Sequence, residues 1–289
     1  MPVIKKAVIP AAGLGTRMLP ATKASPKEML PIVDKPAIQY IVEEAVASGI
    51  EDILIIVSRG KTILEDHFDR SPELEERLIT GKKEKELSEC LKIANMANIS
   101  YIRQKEIKGL GHAVYHAKSF TGSEPFAVLY GDDVVMGTPA TLELARVYEE
   151  FGLGVAGVKE VTRAEIMKYC TLDVQNIRDN IYKVFDMVEK PSEDKIMSLF
   201  SILGRVILPS GIYGILENTV PGAGGEIQLT DAMKTLTKTA GMNAVEYTGK
   251  RYDMGNKLGV MQAQVETALK HEEIGEKFRE YLKGLVGTL

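Results

Sequence analysis

Cysteine is scarce in this chain of 289 residues, with only Cys90 and Cys170 present. They stand far apart and in no metal-ligand spacing, which excludes a disulfide framework and a thiolate zinc site and makes a reducing compartment, the cytoplasm, the expected setting. Long apolar runs are missing too. No stretch approaches the roughly 20 apolar residues that span a bilayer, so no membrane partner is expected. Lys5-Lys6 does precede an apolar segment, but Pro10 and Gly13 interrupt it and Arg17 follows too soon for a secretory leader. Positive charge is not in excess either: the formal net charge is −4, so no basic field gathers nucleic acid. Any phosphate ligand must therefore be held by a local cluster of cations. Internal repeats and low-complexity linkers are likewise absent.

Such a cluster is present near the start. Val8 and Ile9 end an apolar strand at Pro10, and Ala11, Ala12, Gly13 and Gly15 follow with almost no side-chain bulk, so their backbone N–H groups can approach a ligand closely. Arg17, Lys23 and Lys27 come within reach of the same place, a combination suited to a polyphosphate. Two better-known glycine motifs fail here. A dinucleotide fingerprint needs a third glycine where Met18 stands, and the P-loop suggested by Gly60-Lys61-Thr62 would need its first glycine at Ile55.

Further along, helix and strand patterns alternate. Residues 36–46 carry helical apolar spacing closed by Gly49, and 52–57 form a continuous apolar run of the kind found in strands buried on both faces. Amphipathic helices are expected within 61–98, where the mixed charges at 82–86 read as a solvated surface. Strands follow at 99–103 and 126–130, then a helix, a strand and hairpin-like segments through 188. This is the pattern of an α/β fold with a Rossmann-like doubly wound, mostly parallel (mixed) sheet, whose ligands lie at the carboxyl ends of the strands. One domain, 1–289, is expected, with a nucleotide-binding core at 1–190 and a looser lobe at 191–289. A helix is expected to begin near Glu226, and helical segments to close the chain at about 256–285.

Acidic residues fall at strand ends. Asp132-Asp133 follows the strand at 126–130, where a carboxylate either anchors magnesium, which takes one or two protein carboxylates with waters and phosphate oxygens, or caps a turn. Asp253, read alone, is a helix N-terminal residue. Glu189-Lys190-Pro191 closes a strand with an acid and a base held in fixed directions by the proline. Gln104 ends another strand, where a lone glutamine reads as a surface residue.

Longer strings sharpen these readings. Gly13-Leu14-Gly15-Thr16-Arg17, Leu19-Pro20, Thr22-Lys23 and Pro26-Lys27-Glu28-Met29-Leu30-Pro31 together resemble the signature of the sugar-1-phosphate nucleotidyltransferases. The KEMLP segment, and Gly222 to Asp231 (GAGGEIQLTD), resemble most closely the bacterial UTP:glucose-1-phosphate uridylyltransferases, also called UDP-glucose pyrophosphorylases. The resemblance implies transfer of the uridylyl group of UTP to glucose 1-phosphate, giving UDP-glucose and pyrophosphate. It implies Mg2+ on Asp132 and Asp253, the latter in a DxGNKLG string, and leaves Asp133 to support its loop. Arg17 and Lys27 would hold the triphosphate, Lys190 the sugar phosphate and Glu189 the sugar hydroxyls. Gln104 and the loops of Ala11, Ala12, Gly13 and Gly15 and of Gly109 and Gly111 would take the nucleotide, with His112 orienting the second loop. The lobe at 191–289 would then face the sugar, and a homodimer or homotetramer is expected. One position departs from the pattern. Cys170 stands where the family usually has glycine, so its side chain is expected to crowd the hexose. The alternatives are a thymidylyl relative and a non-catalytic homologue that binds nucleotide sugars.

Overall fold

The computed structural model describes residues 4–287. Nine strands build its main sheet: β1 (Lys6–Pro10), β2 (Asp52–Val57), β3 (Asn98–Arg103), β4 (Phe126–Leu129), β5 (Gly154–Glu160), β6 (Cys170–Arg178), β7 (Ile181–Glu189), β8 (Phe200–Leu208) and β9 (Met242–Glu246). Their spatial order is β3-β2-β1-β4-β8-β5-β9-β7-β6. Pairing is parallel from β3 through β4 and between β5 and β9, and antiparallel elsewhere, so the sheet is mixed. Residues after 190 supply β8, which lies between β4 and β5, and β9.

Successive side chains of a strand point to opposite faces, and the apolar runs divide accordingly. Ile53, Ile55 and Val57 join one core cluster, while Leu54 and Ile56 join the other. The first cluster lies under the helices Ala37–Ala47 and Ala140–Phe151, and Ile38, Ile41, Val42 and Ala45 of the former fall at helical spacing. The second lies under Leu110–Tyr115, Ile212–Glu217 and Leu229–Thr239. That last helix begins three residues later than expected, because Glu226–Gln228 are extended against the 108–111 loop: Ile227 N–H donates to Lys108 O (2.8 Å) and Gly111 N–H to Ile227 O (2.9 Å). No helix of the described residues is long and apolar enough to cross a membrane.

Three features bring distant segments to one end of the sheet. Ala11 N–H extends the β1–β2 ladder by donating to Ile56 O (2.8 Å), and Gln104 N–H extends the β3–β2 ladder by donating to Val57 O (2.8 Å). A small antiparallel ribbon, Asp133–Met136 with Lys250–Asp253, sets Asp133 opposite Asp253. Between β4 and β5, β8 breaks register near Gly204, whose left-handed φ of 81° turns its carbonyl to accept from Tyr130 N–H (2.8 Å). Beneath this point Arg205 donates to Glu44 through Nε (3.1 Å) and Nη2 (2.6 Å), both residues being fully buried.

Candidate active site

The cradle begins where β1 ends. Gly15 takes a φ of 67° and its carbonyl accepts from Thr22 Oγ1 (2.7 Å), which folds residues 16–23 back beside the glycines. A Cβ on Gly13 would stand 3.8 Å from Lys27 Nζ, so the lysine lies alongside the bare backbone. Lys27 is held from behind by a buried pair: Lys61 Nζ donates to Glu28 Oε2 (2.9 Å) and to Ala11 O. Lys61, from the stretch that imitates a P-loop, thus braces the loop from inside the protein.

Gly131 allows the Asp132 loop to close onto the cradle, since a Cβ there would meet Pro10 O at 2.7 Å. Lys27 Nζ then lies 2.5 Å from Asp132 Oδ2, and Arg17 Nη2 is 3.6 Å from the same oxygen. Burial works against the charge on Asp132, but Lys27 and Arg17 outweigh it and hold its carboxyl below the usual range. Burial likewise opposes the charge on Lys27, and Asp132 and Glu28 overcome it and raise its pKa. Each thus keeps the other ionised.

Asp253 arrives on the ribbon. It is not a helix cap: Asn256 fills that role, accepting from Gly259 N–H (2.7 Å), and Asp253 ends a strand. Its Oδ1 accepts from Gly255 N–H (2.7 Å) and its Oδ2 from Tyr169 Oη (3.1 Å). Asp253 Oδ1 and Asp132 Oδ2 lie 2.9 and 3.1 Å from the point where a Cβ on Gly255 would stand, so the missing side chain leaves a space onto which both carboxylates face. Two carboxylates with room for waters and phosphate oxygens fit a hard cation such as magnesium, whereas no larger group of metal-ligating side chains gathers among the described residues.

Asp133 is taken up by an ion pair, its Oδ1 accepting from Arg251 Nε at 2.5 Å. Burial first, then the charges of Asp132 and Asp253, push its pKa to about 6 in spite of Arg251. Arg251 also lies 3.8 Å from Asp253 Oδ2 and over the Tyr169 ring, so one guanidinium ties the two acidic segments together. It escapes sequence reading, although it stands two residues before Asp253 and hence on the same face of the ribbon.

The Glu189-Lys190 pair is reached through Tyr169, whose carbonyl accepts from Lys190 N–H (2.6 Å). Lys190 has a φ of 45° and an exposed side chain. Thr230 Oγ1 donates to Glu189 Oε2 (2.8 Å), and burial raises the Glu189 pKa. Cys170 pairs with Glu189 in the hairpin, but its side chain turns into the core. Its Sγ accepts from Ile202 N–H (3.3 Å) and lies 3.6 Å from Ser201 Oγ, and burial pushes the thiol up to about 12.

A cleft of about 400 Å³ opens beside the cradle, lined in part by Ala12, Gly13, Arg17, Lys27, Gln104, Gly109 and Asp132. Glu189, Lys190, Cys170 and Asp253 are not among its lining residues. Gln104 is buried and its Nε2 donates to His112 Nδ1 (2.8 Å). Gly109 and Gly111 serve a close backbone contact as well: Cβ atoms there would meet Ile227 O at 2.7 and 2.8 Å.

A glycine cradle, converging cations and facing carboxylates at the strand ends of a mixed α/β sheet define a nucleotide-handling enzyme class. The model of the family described as Nucleotidyl transferase matches residues 6–269, and the chain belongs to that family. A UTP–glucose-1-phosphate uridylyltransferase of Bacillus subtilis is 51% identical over 98% of this chain and 96% of its own length. A UTP-bound UGPase from Acinetobacter baumannii superposes with a TM-score of 0.90 at 38% identity, covering 96% of this chain and 98% of that one. A UDP-glucose pyrophosphorylase complexed with UDP-glucose gives 0.85 at 40% identity, covering 93% and 100%.

Proposed function

We infer that this enzyme transfers the uridylyl group of UTP to glucose 1-phosphate, releasing pyrophosphate and yielding UDP-glucose. The observation that carries the residue roles is the meeting of Lys27, Arg17, Asp132 and Asp253, from segments remote in sequence, around one small space.

The nucleophile is a phosphate oxygen of the sugar phosphate and is already an anion, so no general base is required. The obstacle is repulsion. Two unit charges about 4 Å apart oppose each other by about 4 kcal/mol at an effective dielectric constant of 20. Arg17 and Lys27 neutralise the triphosphate, and Lys190 is assigned to the sugar phosphate. Backbone amides of Ala12 and Gly13 approach the nucleotide from the cradle, and Glu189 is assigned to sugar hydroxyls. Asp132 and Asp253 are the residues that would hold Mg2+, which when bound supplies Lewis-acid neutralisation of phosphate charge. The protein's share is alignment, with the sugar phosphate held in line with the α-phosphorus and no covalent enzyme intermediate. Gln104 is assigned to the uracil edge, since an amide offers both a donor and an acceptor. The Cys170 thiol is turned into the core rather than left exposed, which supports glucose as an acceptable epimer. The two unpaired cysteines suit a cytoplasmic enzyme.

Pyrophosphate release from UTP, dTTP, CTP, ATP and GTP, each with glucose 1-phosphate, tests this reading. UTP is expected to be the best donor. Equal or better use of dTTP contradicts it.

A further inference from the structure

The cleft wall carries a feature that the reaction itself does not use. Gln104 Nε2 lies 2.8 Å from His112 Nδ1. An amide nitrogen can only donate, so the imidazole accepts at Nδ1 and carries its proton on Nε2. We propose that His112 is a positioning residue that sets base selectivity, its unprotonated Nδ1 locking the Gln104 amide in the orientation that reads uracil and turns cytosine away.

The chemistry follows from the two base edges. Uracil presents an N3–H donor flanked by carbonyl acceptors, whereas cytosine presents an N3 acceptor beside an N4 amino donor. With one Nε2 proton committed to His112, Gln104 keeps Oε1 to accept from uracil N3–H and its second Nε2 proton to donate to a neighbouring carbonyl. Cytosine requires the amide flipped, and a flip sets Oε1 against the Nδ1 lone pair or forces the ring out of its Nε2–H tautomer. The lock separates uracil from cytosine and is indifferent to thymine, whose edge matches that of uracil.

The surroundings keep the ring neutral. Burial, the edge-on ring of His116 at 4.7 Å and the Lys108 charge all lower the pKa of His112 below its ordinary value of 6.5, against an opposing pull from Glu106. Glu226, which also lines the cleft, comes from the segment packed on Gly109. Protonating His112 turns Nδ1 into a donor, which favours the flipped amide. The fidelity of base choice therefore declines in acid.

This inference rests on the assignment of Gln104 to the base, and the test separates the two. The quantity to measure is the ratio of kcat/KM for UTP to that for CTP, with glucose 1-phosphate and Mg2+, from about pH 8.5 down to about pH 5.5. The phosphates of the two nucleotides and of the sugar phosphate titrate alike in both reactions, and within the middle of this range both bases are neutral, so the ratio there isolates how the enzyme reads the base. In the native enzyme the ratio is expected to fall about tenfold as His112 gains its proton, the scale of one displaced hydrogen bond, with the change in KM rather than kcat. His112→Leu is expected to have the lowered ratio at every pH. A ratio flat with pH in the native enzyme overturns the proposal without recourse to any variant, as does an unchanged ratio in folded His112→Leu. If Gln104→Leu loses selectivity while His112→Leu keeps it, the lock alone is refuted. If both keep it, the assignment of Gln104 falls as well.

Discussion

Gly255 marks the space between Arg17, Asp132 and Asp253 by what a methyl group would do there. A Cβ would stand 2.6 Å from Arg17 Nη2 and about as close to both carboxylates, displacing the groups that must converge. Gly255→Ala is therefore expected to cut kcat by at least about tenfold and to raise the Mg2+ concentration needed for half-maximal rate, while thermal unfolding stays near that of the native protein. Lys27 belongs to the same scale. Removing its ammonium leaves Asp132 without its nearest counter-charge and, on the proposed role, the triphosphate without a clamp, so Lys27→Ala is expected to lose about a hundredfold or more in turnover with an unchanged circular dichroism spectrum. Retention of full activity would remove Lys27 from its role. At this scale the sequence was legible mainly through strings. Lys27 and Asp132 stand out in the chain, but Asp253 reads as a helix cap until the DxGNKLG string is weighed, because its strand is short and pairs with a segment more than a hundred residues away. Arg251, Tyr169 and Lys61 went unread for a related reason: each acts on a partner that only the fold brings near.

Among the elements, the strands buried on both faces were the easiest to read. Residues 52–57 form a strand over the expected span, since an unbroken apolar run has no solvated face to accommodate. The ribbon that carries Asp253 and the distortion at Gly204 were not legible, because neither has a local hydrophobic period. The Glu44–Arg205 pair was hidden as well. At helical spacing Glu44 looks like an outward charge, yet it accepts from Arg205 and from Thr141 N–H and Oγ1 in the core. Arg205 Nη1 also donates to Gly204 O, the carbonyl that holds Tyr130 just before the Asp132 loop. Arg205→Met would leave a carboxylate buried without its partner, and a loss of about 3–5 kcal/mol is expected in urea unfolding. A loss within the range of a surface substitution would show that the pair does not brace this loop.

For the whole molecule, the overall negative charge and the basic character of the site are reconciled by geometry. The chain does not attract phosphate globally; it gathers Arg17 and Lys27 from one loop and opposes them with carboxylates from two others. The alternation of elements made a mixed α/β sheet predictable. It did not indicate that β8, from beyond residue 190, would lie at the middle of that sheet, since strand order is a property of the assembled core.

The central claim is that Asp132 and Asp253 face one space and are the residues that would hold a divalent ion, which would supply neutralisation of phosphate charge there. The rate of pyrophosphate release from UTP and glucose 1-phosphate by Asp253→Asn, followed across a Mg2+ titration, tests it most directly. A fall of about a hundredfold or more, with a raised Mg2+ requirement matched by Asp132→Asn, is the predicted result. Native activity and native Mg2+ dependence in Asp253→Asn would contradict it.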